Sequence, residues 1–323
     1  MQKLILKNHQ SPGDIVMLTA AVRDLHRAFP GRFITDVRTP CPALWENNPL
    51  ITPIADDDPA ARIIQCEYPA IHQSNEVKQH FIHGFMQDLS EKLELEPILQ
   101  PTAFHGDIYL SDEEKGWASQ VEEIVGSEIP FWIVVAGGKY DYTIKWWGAA
   151  RWQAVVDAVR DRYGVQFVQV GATGEGHYHP ALRGGVIDLC GKTDLRQLVR
   201  LMYHAGGVLC PVTFLMHLTA AVEVKHPVSQ NKPRPCVIVA GGREPPHWEE
   251  YPAHEFLHTV GSLPCCKTGG CWRARTQPLG DGDTKDEAQN VCLDVAESGL
   301  PQCMDAISVA DVTTAVGRYF DED

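Results

Sequence analysis

Five loops carry side chains able to do chemistry, and each follows a short apolar run. Asp14 closes "NHQSPGD" after "KLILK", and Lys145 lies in "GGKYDYTIKWW" after "FWIVVA". Glu175 lies in "TGEGHYHP", Thr213 and His217 in "PVTFLMH", and Arg243 in "GGREPPHW". A carboxylate held at a strand end can take the proton of a hydroxyl as that oxygen attacks. Lysine, arginine and the free N–H groups of a helix start suit the phosphates of a ligand. Each residue also has a plainer reading. Asp14 can serve as a helix cap worth about 1 kcal/mol. Lys145 can lie along Trp146 and Trp147 at the surface, and His217 can be a satisfied core histidine.

A second constellation is sulfur. Cys265, Cys266, Cys271, Cys292 and Cys303 fall within 39 residues of a Gly- and Pro-rich stretch poor in apolar side chains. Such clustering in an intracellular chain suggests a metal more than disulfides. Cys271, Cys292 and Cys303 read as three ligands, with Cys265 or Cys266 the fourth, because adjacent cysteines seldom both hold one ion without strain. Four thiolates suit zinc or iron alike, and a filled shell implies a structural role.

These loops need elements to position them. "KLILK", "RFITDVRT", "ARIIQCEY", "FWIVVA", "VQFVQVGA", "GGVIDL", "GGVLCP" and "PCVIVAGG" read as strands. Helical patterns after Asp14 and over 79–95, 149–162, 194–205 and 214–223 lie among them. Ile15, Leu18, Val22, Leu25 and Phe29 line one face of the first helix, which Pro30-Gly31 stops. The alternation predicts an α/β protein of two Rossmann-like domains with a cleft between them, 1–125 and 126–323. The second includes the cysteine-rich segment 264–304 and a final helix 308–320, opened by a Ser308/Asp311 capping box. Ligands of such sheets bind beyond the carboxyl ends of the strands, where these loops lie.

A formal charge of −14 disfavours nucleic acid and anionic membrane as partners. No apolar run is long enough to span a bilayer and no secretory segment stands out, so a cytoplasmic protein is expected. "GATGEG" has the wrong glycine spacing and position for a dinucleotide fingerprint.

The early "SPGDIVMLTAAVRDLHRAFPG", "KWWGAARWQAVVDAV", "IDLCGKTDLRQLVRLMYHAGGVL" leading to "PVTFLMHLTAAV", and "VIVAGGREPPHW" resemble, in order and spacing, the family 9 glycosyltransferases. These are the ADP-heptose:lipopolysaccharide heptosyltransferases and their relatives. The resemblance implies a GT-B fold, with the acceptor in the first domain and a nucleotide-sugar in the second. It implies inverting transfer of a hexosyl or heptosyl group from an ADP-heptose-like donor to an acceptor hydroxyl that the sequence does not name. By that resemblance Asp14 is the catalytic base, and Lys145, Glu175, Thr213, His217 and Arg243 meet the donor. Val212 and Phe214 stand where the family's Asp-Thr-Gly segment has aspartate and glycine, so contacts made by that aspartate cannot be made here. This departure keeps a second expectation open, an inactive, metal-stabilised binding or scaffold protein of the same architecture. No metal is expected in the transfer itself, since "DGD" at 281–283 reads as a turn. The cysteine segment is similar to that of the iron-containing autotransporter heptosyltransferases.

Overall fold

The computed structural model describes residues 1–226 and 233–321. Strand β1 (Gln2–Lys7) buries Leu4, Ile5 and Leu6 and leads through a polar loop to helix α1 (Pro12–Ala28). Strands β2 (Phe33–Arg38) and β3 (Ala61–Gln65) flank it in a parallel sheet of order β2-β1-β3. Helix α2 (Ile82–Leu93) packs on α1. The polar stretch after residue 111 folds as two short helices, α3 (Asp112–Lys115) and α4 (Gln120–Val125).

A second series follows: β4 (Phe131–Val134), β5 (Gly138–Lys139), α5 (Ala149–Tyr163), β6 (Gln166–Gln169), β7 (His177–Tyr178) and β8 (Ile187–Asp188). It continues through α6 (Leu195–His204), β9 (Gly207–Pro211), α7 (Phe214–Ala221), β10 (Cys236–Gly241), α8 (Pro246–Glu249) and β11 (His254–His258). Six of these strands form one parallel sheet of order β11-β10-β9-β4-β6-β8. The small β5/β7 pair is antiparallel and separate. Helices α9 (Gln302–Asp305) and α10 (Val309–Gly317) end the chain, and Ser308 caps α10 as expected, its Oγ accepting from the Asp311 N–H at 3.1 Å.

The fold is an α/β arrangement of GT-B-like type, and every expected strand has its counterpart. Several features differ, among them the β5/β7 pair, which forms inside two expected loops. Strand β11 escaped the sequence pattern because "HEFLH" mixes histidine and glutamate with its apolar residues. The last helix stops at Gly317, short of residue 320. Helix α1 buries every residue from Ile15 to Leu25 rather than one face. Its second face is covered by α7 of the later series, and Ile108 pairs with Val222 beside this contact. One continuous apolar core therefore includes Leu4 and Leu18 from the first series and Met216, Leu218 and Tyr251 from the second.

Candidate active site

The loop after β1 turns into α1 with Pro12 in its first turn, where the missing N–H is no loss. Asp14 both caps the helix and faces the site. Its Oδ2 accepts the Ser11 N–H at 2.8 Å, and the Tyr68 hydroxyl donates to the same carboxylate. Burial pushes the Asp14 pKa above the ordinary carboxylate range; the bonds from Tyr68 and Ser11, then the charge of Lys145, work against it. An ionised but poorly hydrated carboxylate is a stronger proton acceptor than one in open water.

Lys145 comes from the loop that follows β5. Its Nζ lies 2.8 Å from Glu244 Oε1 and 5.5 Å from the centre of the Tyr142 ring. Arg243 pairs with the same Glu244 oxygen and sits between two aromatic faces, 4.9 Å from Tyr142 and 5.4 Å from Trp272. Its Nε–H donates to the Arg273 carbonyl at 2.7 Å, which fixes the guanidinium. Burial, then the neighbouring Arg243, push the Lys145 ammonium down to about 7. The negative charges of Glu249 and Asp14 work against this shift, and Glu244 holds the ammonium in place. Glu249, also buried here, is pushed up by desolvation against the pull of Lys145 and Arg243. Two carboxylate oxygens in this group, Glu244 Oε2 and Glu249 Oε2, are buried without a hydrogen-bond partner.

His217 stands in the first turns of α7, whose N-cap is Thr213. Its Nδ1 meets the Tyr251 hydroxyl at 2.7 Å, and its ring packs edge-on against Phe81. Burial drives its pKa down to about 3, so the imidazole is neutral. The start of α1 lies directly against this ring. A Cβ at Gly13 would fall 2.9 Å from His217 Cδ2, so only glycine allows the two helix starts to approach this closely.

Asp14, Lys145, His217, Thr213 and Arg243 thus gather where the two series meet. Glu175 does not join them: it is exposed in the turn between Gly174 and Gly176 that leads into β7. Tyr68, Tyr142, Glu244, Glu249 and Tyr251 were missed by sequence reasoning. Glu244 and Glu249 lie in or beside the quoted "GGREPPHW" loop and could have been weighed with Arg243; the tyrosines carried no signal of spacing.

The cysteine segment lies over this site. Trp272 Nε1 donates to Asn75 Oδ1 at 3.1 Å, and Asn75 Nδ2 donates to the Gly270 carbonyl at 3.0 Å, tying the segment to the first series. Thr276 and Ala274 bond the backbone and side chain of the 143–144 loop beside Lys145. The stability of the segment therefore includes docking across both series. Cys266 and Cys303 pack on Gly242, where a Cβ would fall 3.1 Å from Cys266 Sγ, and the Cys271 N–H donates to the Gly242 carbonyl at 3.1 Å. Among the described residues, no three or more His, Cys, Asp or Glu side chains are disposed to hold a metal ion.

Parallel α/β sheets meeting at a half-buried carboxylate, cations and a helix start make a GT-B-like architecture with groups suited to a phosphate-bearing ligand. Residues 75–227 match the model of glycosyltransferase family 9 (heptosyltransferase), a stretch holding Lys145, Glu175, Thr213 and His217 but neither Asp14 nor Arg243. The fold is that of a family 9 glycosyltransferase from Veillonella parvula, at TM-score 0.63 and 15% identity over 98% of this chain and 96% of that one. It is similar to the dodecameric iron-containing heptosyltransferase TibC of enterotoxigenic Escherichia coli, solved with ADP-D-beta-D-heptose: TM-score 0.61, 16% identity, 98% and 76% of the two chains. It is also similar to E. coli ADP-heptose lps heptosyltransferase II, at TM-score 0.56 and 14% identity over 98% of each chain. No curated protein matches the chain. Among the described residues, no helix is long and apolar enough to cross a membrane. The family segment spans just under half of the chain, and the structural likeness shows a fold shared with these transferases.

Proposed function

We propose that the enzyme moves a sugar from a nucleoside-diphosphate sugar, ADP-heptose or a close analogue, to an acceptor hydroxyl with inversion. The observation that carries this reading is the half-buried Asp14 carboxylate, its pKa raised by desolvation, beside the paired cations Lys145 and Arg243. Asp14 takes the hydroxyl proton as the acceptor oxygen bonds to the anomeric carbon. The bond from that carbon to the β-phosphate oxygen breaks, and the nucleoside diphosphate leaves with the electron pair. Lys145, Arg243 and the N–H groups opening α7 at Thr213 lower the energy of the charge that develops there. Glu244 bridges both cations, one negative charge between two positive, and a diphosphate lodged at this point shares them with it. The departure at Val212 leaves sugar recognition to other groups; the orphan oxygens of Glu244 and Glu249 are suited to accept sugar hydroxyls.

The test is transfer from ADP-heptose, with the anomeric configuration of the product read by NMR, in the native enzyme and Asp14→Asn. The reading requires an inverted product and a loss of about 10²–10⁴-fold in kcat for the variant. A fully active Asp14→Asn removes the base, and a retained configuration removes the single displacement.

For the cysteine segment we propose one structural zinc or iron, held by Cys271, Cys292, Cys303 and one of Cys265 and Cys266. Support comes from the common anchoring of Cys266, Cys271 and Cys303 on Gly242 and from four-thiolate chemistry. The ion supplies cross-linking of the segment and takes no part in transfer. We further propose a boundary between acceptor and donor domains near residue 125, a cytoplasmic location, and a contact of Glu175 with the nucleoside.

A further inference from the structure

A trough of about 580 Å³ opens where the two series meet, separate from the Asp14 group. Its size falls within the roughly 300–1,000 Å³ of small-molecule sites. One wall is Lys78, His80, His83 and Phe104; the other is His247 and the run Glu250–His254. Tyr251 is the partition, with its ring in the trough and its hydroxyl bonded to His217 and, at 3.2 Å, to Met17 Sδ on the catalytic side.

The polar lining is unsatisfied. His254 is 7% exposed, and neither ring nitrogen has a hydrogen-bond partner. His80 is 6% exposed; its Nδ1 accepts the Ile82 N–H at 3.1 Å, which leaves the proton on Nε2. That Nε2–H points toward the carbonyls of Glu249 and Glu250 without reaching hydrogen-bond geometry. A buried polar atom left unmatched has lost its bond to water and gained none, so a ligand that matches it is favoured. Burial keeps both rings uncharged, His80 down at about 4 and His254 at about 3. The imidazoles offer both donors and acceptors with no charge, and a hydroxyl is the group that answers both at once.

The apolar lining is set in place as firmly. Phe104 is 44% exposed, yet Arg23, buried in α1, bonds the carbonyls on both sides of it: Ala103 at 2.9 Å and His105 at 2.7 Å. Its ring stands edge-on to His80 and His83, 5.7 and 6.0 Å between centroids. A rigid loop displaying a bare aromatic ring beside neutral hydrogen-bonding groups matches the C–H face and hydroxyl rim of a sugar.

We infer that this trough is a saccharide site, binding an uncharged sugar ring through Phe104, Tyr251, His80 and His254. Binding stands on this geometry alone. That the ring belongs to the acceptor, beyond the sugar that reacts, rests on the glycosyltransferase reading.

Saturation-transfer NMR on the full chain with methyl α-D-mannopyranoside, methyl β-D-glucopyranoside and methyl β-D-galactopyranoside tests it, with glucose 6-phosphate and inorganic phosphate as anionic probes. At least one methyl glycoside receives saturation. Phe104→Ala, at a solvent-exposed ring, weakens that binding about fivefold at unchanged melting temperature, and Lys78→Ala leaves it intact. The thermal shift produced by ADP is the same in all three proteins, so loss of the donor reading and loss of this one are told apart. No transfer to any glycoside, transfer indifferent to Phe104→Ala, or a preference for the anions that depends on Lys78 overturns the inference.

Discussion

Lowering the pH from 7.5 to 4.5 is a perturbation whose effect follows first from three deeply buried histidines, with the half-buried His204, its pKa down at about 4, adding in the same sense. His80, His217 and His254 are buried and neutral, with pKa values pushed down by burial to about 4, 3 and 3. In the unfolded chain the same rings titrate near the ordinary 6.5, so unfolding at pH 5.5 takes up close to three protons. Native stability is then complete above about pH 7 and is lost as the pH falls through the unfolded value toward the folded ones. Each proton is worth about 1.4 kcal/mol per pH unit, so three give a slope of about 4. Asp14 and Glu249 act in the opposite sense, because burial raises their folded values and the native state gains their protons first. They subtract up to about 1.4 each, leaving from these five groups a net loss between roughly 1 and 4 kcal/mol per pH unit, to which His204 adds up to about 1.4. Urea unfolding followed by tryptophan fluorescence at four pH values reads the slope directly, and His254→Gln should lower it by about 1.4 whatever its own starting stability. A midpoint that holds constant between pH 7.5 and 5, or an unaltered slope in His254→Gln, refutes the burial argument.

Asp14→Asn keeps an oxygen for the Ser11 N–H, so its unfolding free energy should stay within about 1 kcal/mol of the native enzyme while transfer collapses; a parallel loss of both would make the residue a cap and nothing more. Gly13→Ala should cost about 1–3 kcal/mol, since the new methyl meets a His217 ring that Tyr251 holds in place; a melting temperature equal to that of the native protein would show that the two helix starts can part freely. Lys145→Met should leave Glu244 and Arg243 paired and weaken ADP binding about tenfold or more, as measured by calorimetry; unchanged affinity places the diphosphate elsewhere. Elemental analysis of protein purified without chelator should find about one zinc or iron per chain, and stripping it should lower the melting temperature; metal-free protein with full stability ends the proposal for the cysteines.

How far the site was legible in the sequence varies residue by residue. Asp14, Lys145, His217 and Arg243 could be found because each follows an apolar run that had to be a buried strand, and strand ends are where such sheets expose ligand-binding loops. Glu175 satisfied the same rule and yet lies in an exposed turn, because a short β5/β7 pair carries its loop outward. Tyr68 closes the expected strand "ARIIQCEY" but lies three residues beyond the end of β3, and it reaches Asp14 from the loop that leads to α2.

Local sequence alone determined the alternating strands and helices, through apolar periodicity, and the capped starts of α1 and α10, through their polar residues. Those features depend on residues a few positions apart, whose side chains must share one face whatever the rest of the chain does. Tertiary structure alone decided that α1 is covered by α7, that Glu244 bridges Lys145 and Arg243, and that His80 and His254 share a trough. Each joins groups that lie far apart in sequence, or turns neighbouring ones toward a distant partner. Only packing of the two series against each other selects among the many such pairings the local pattern permits.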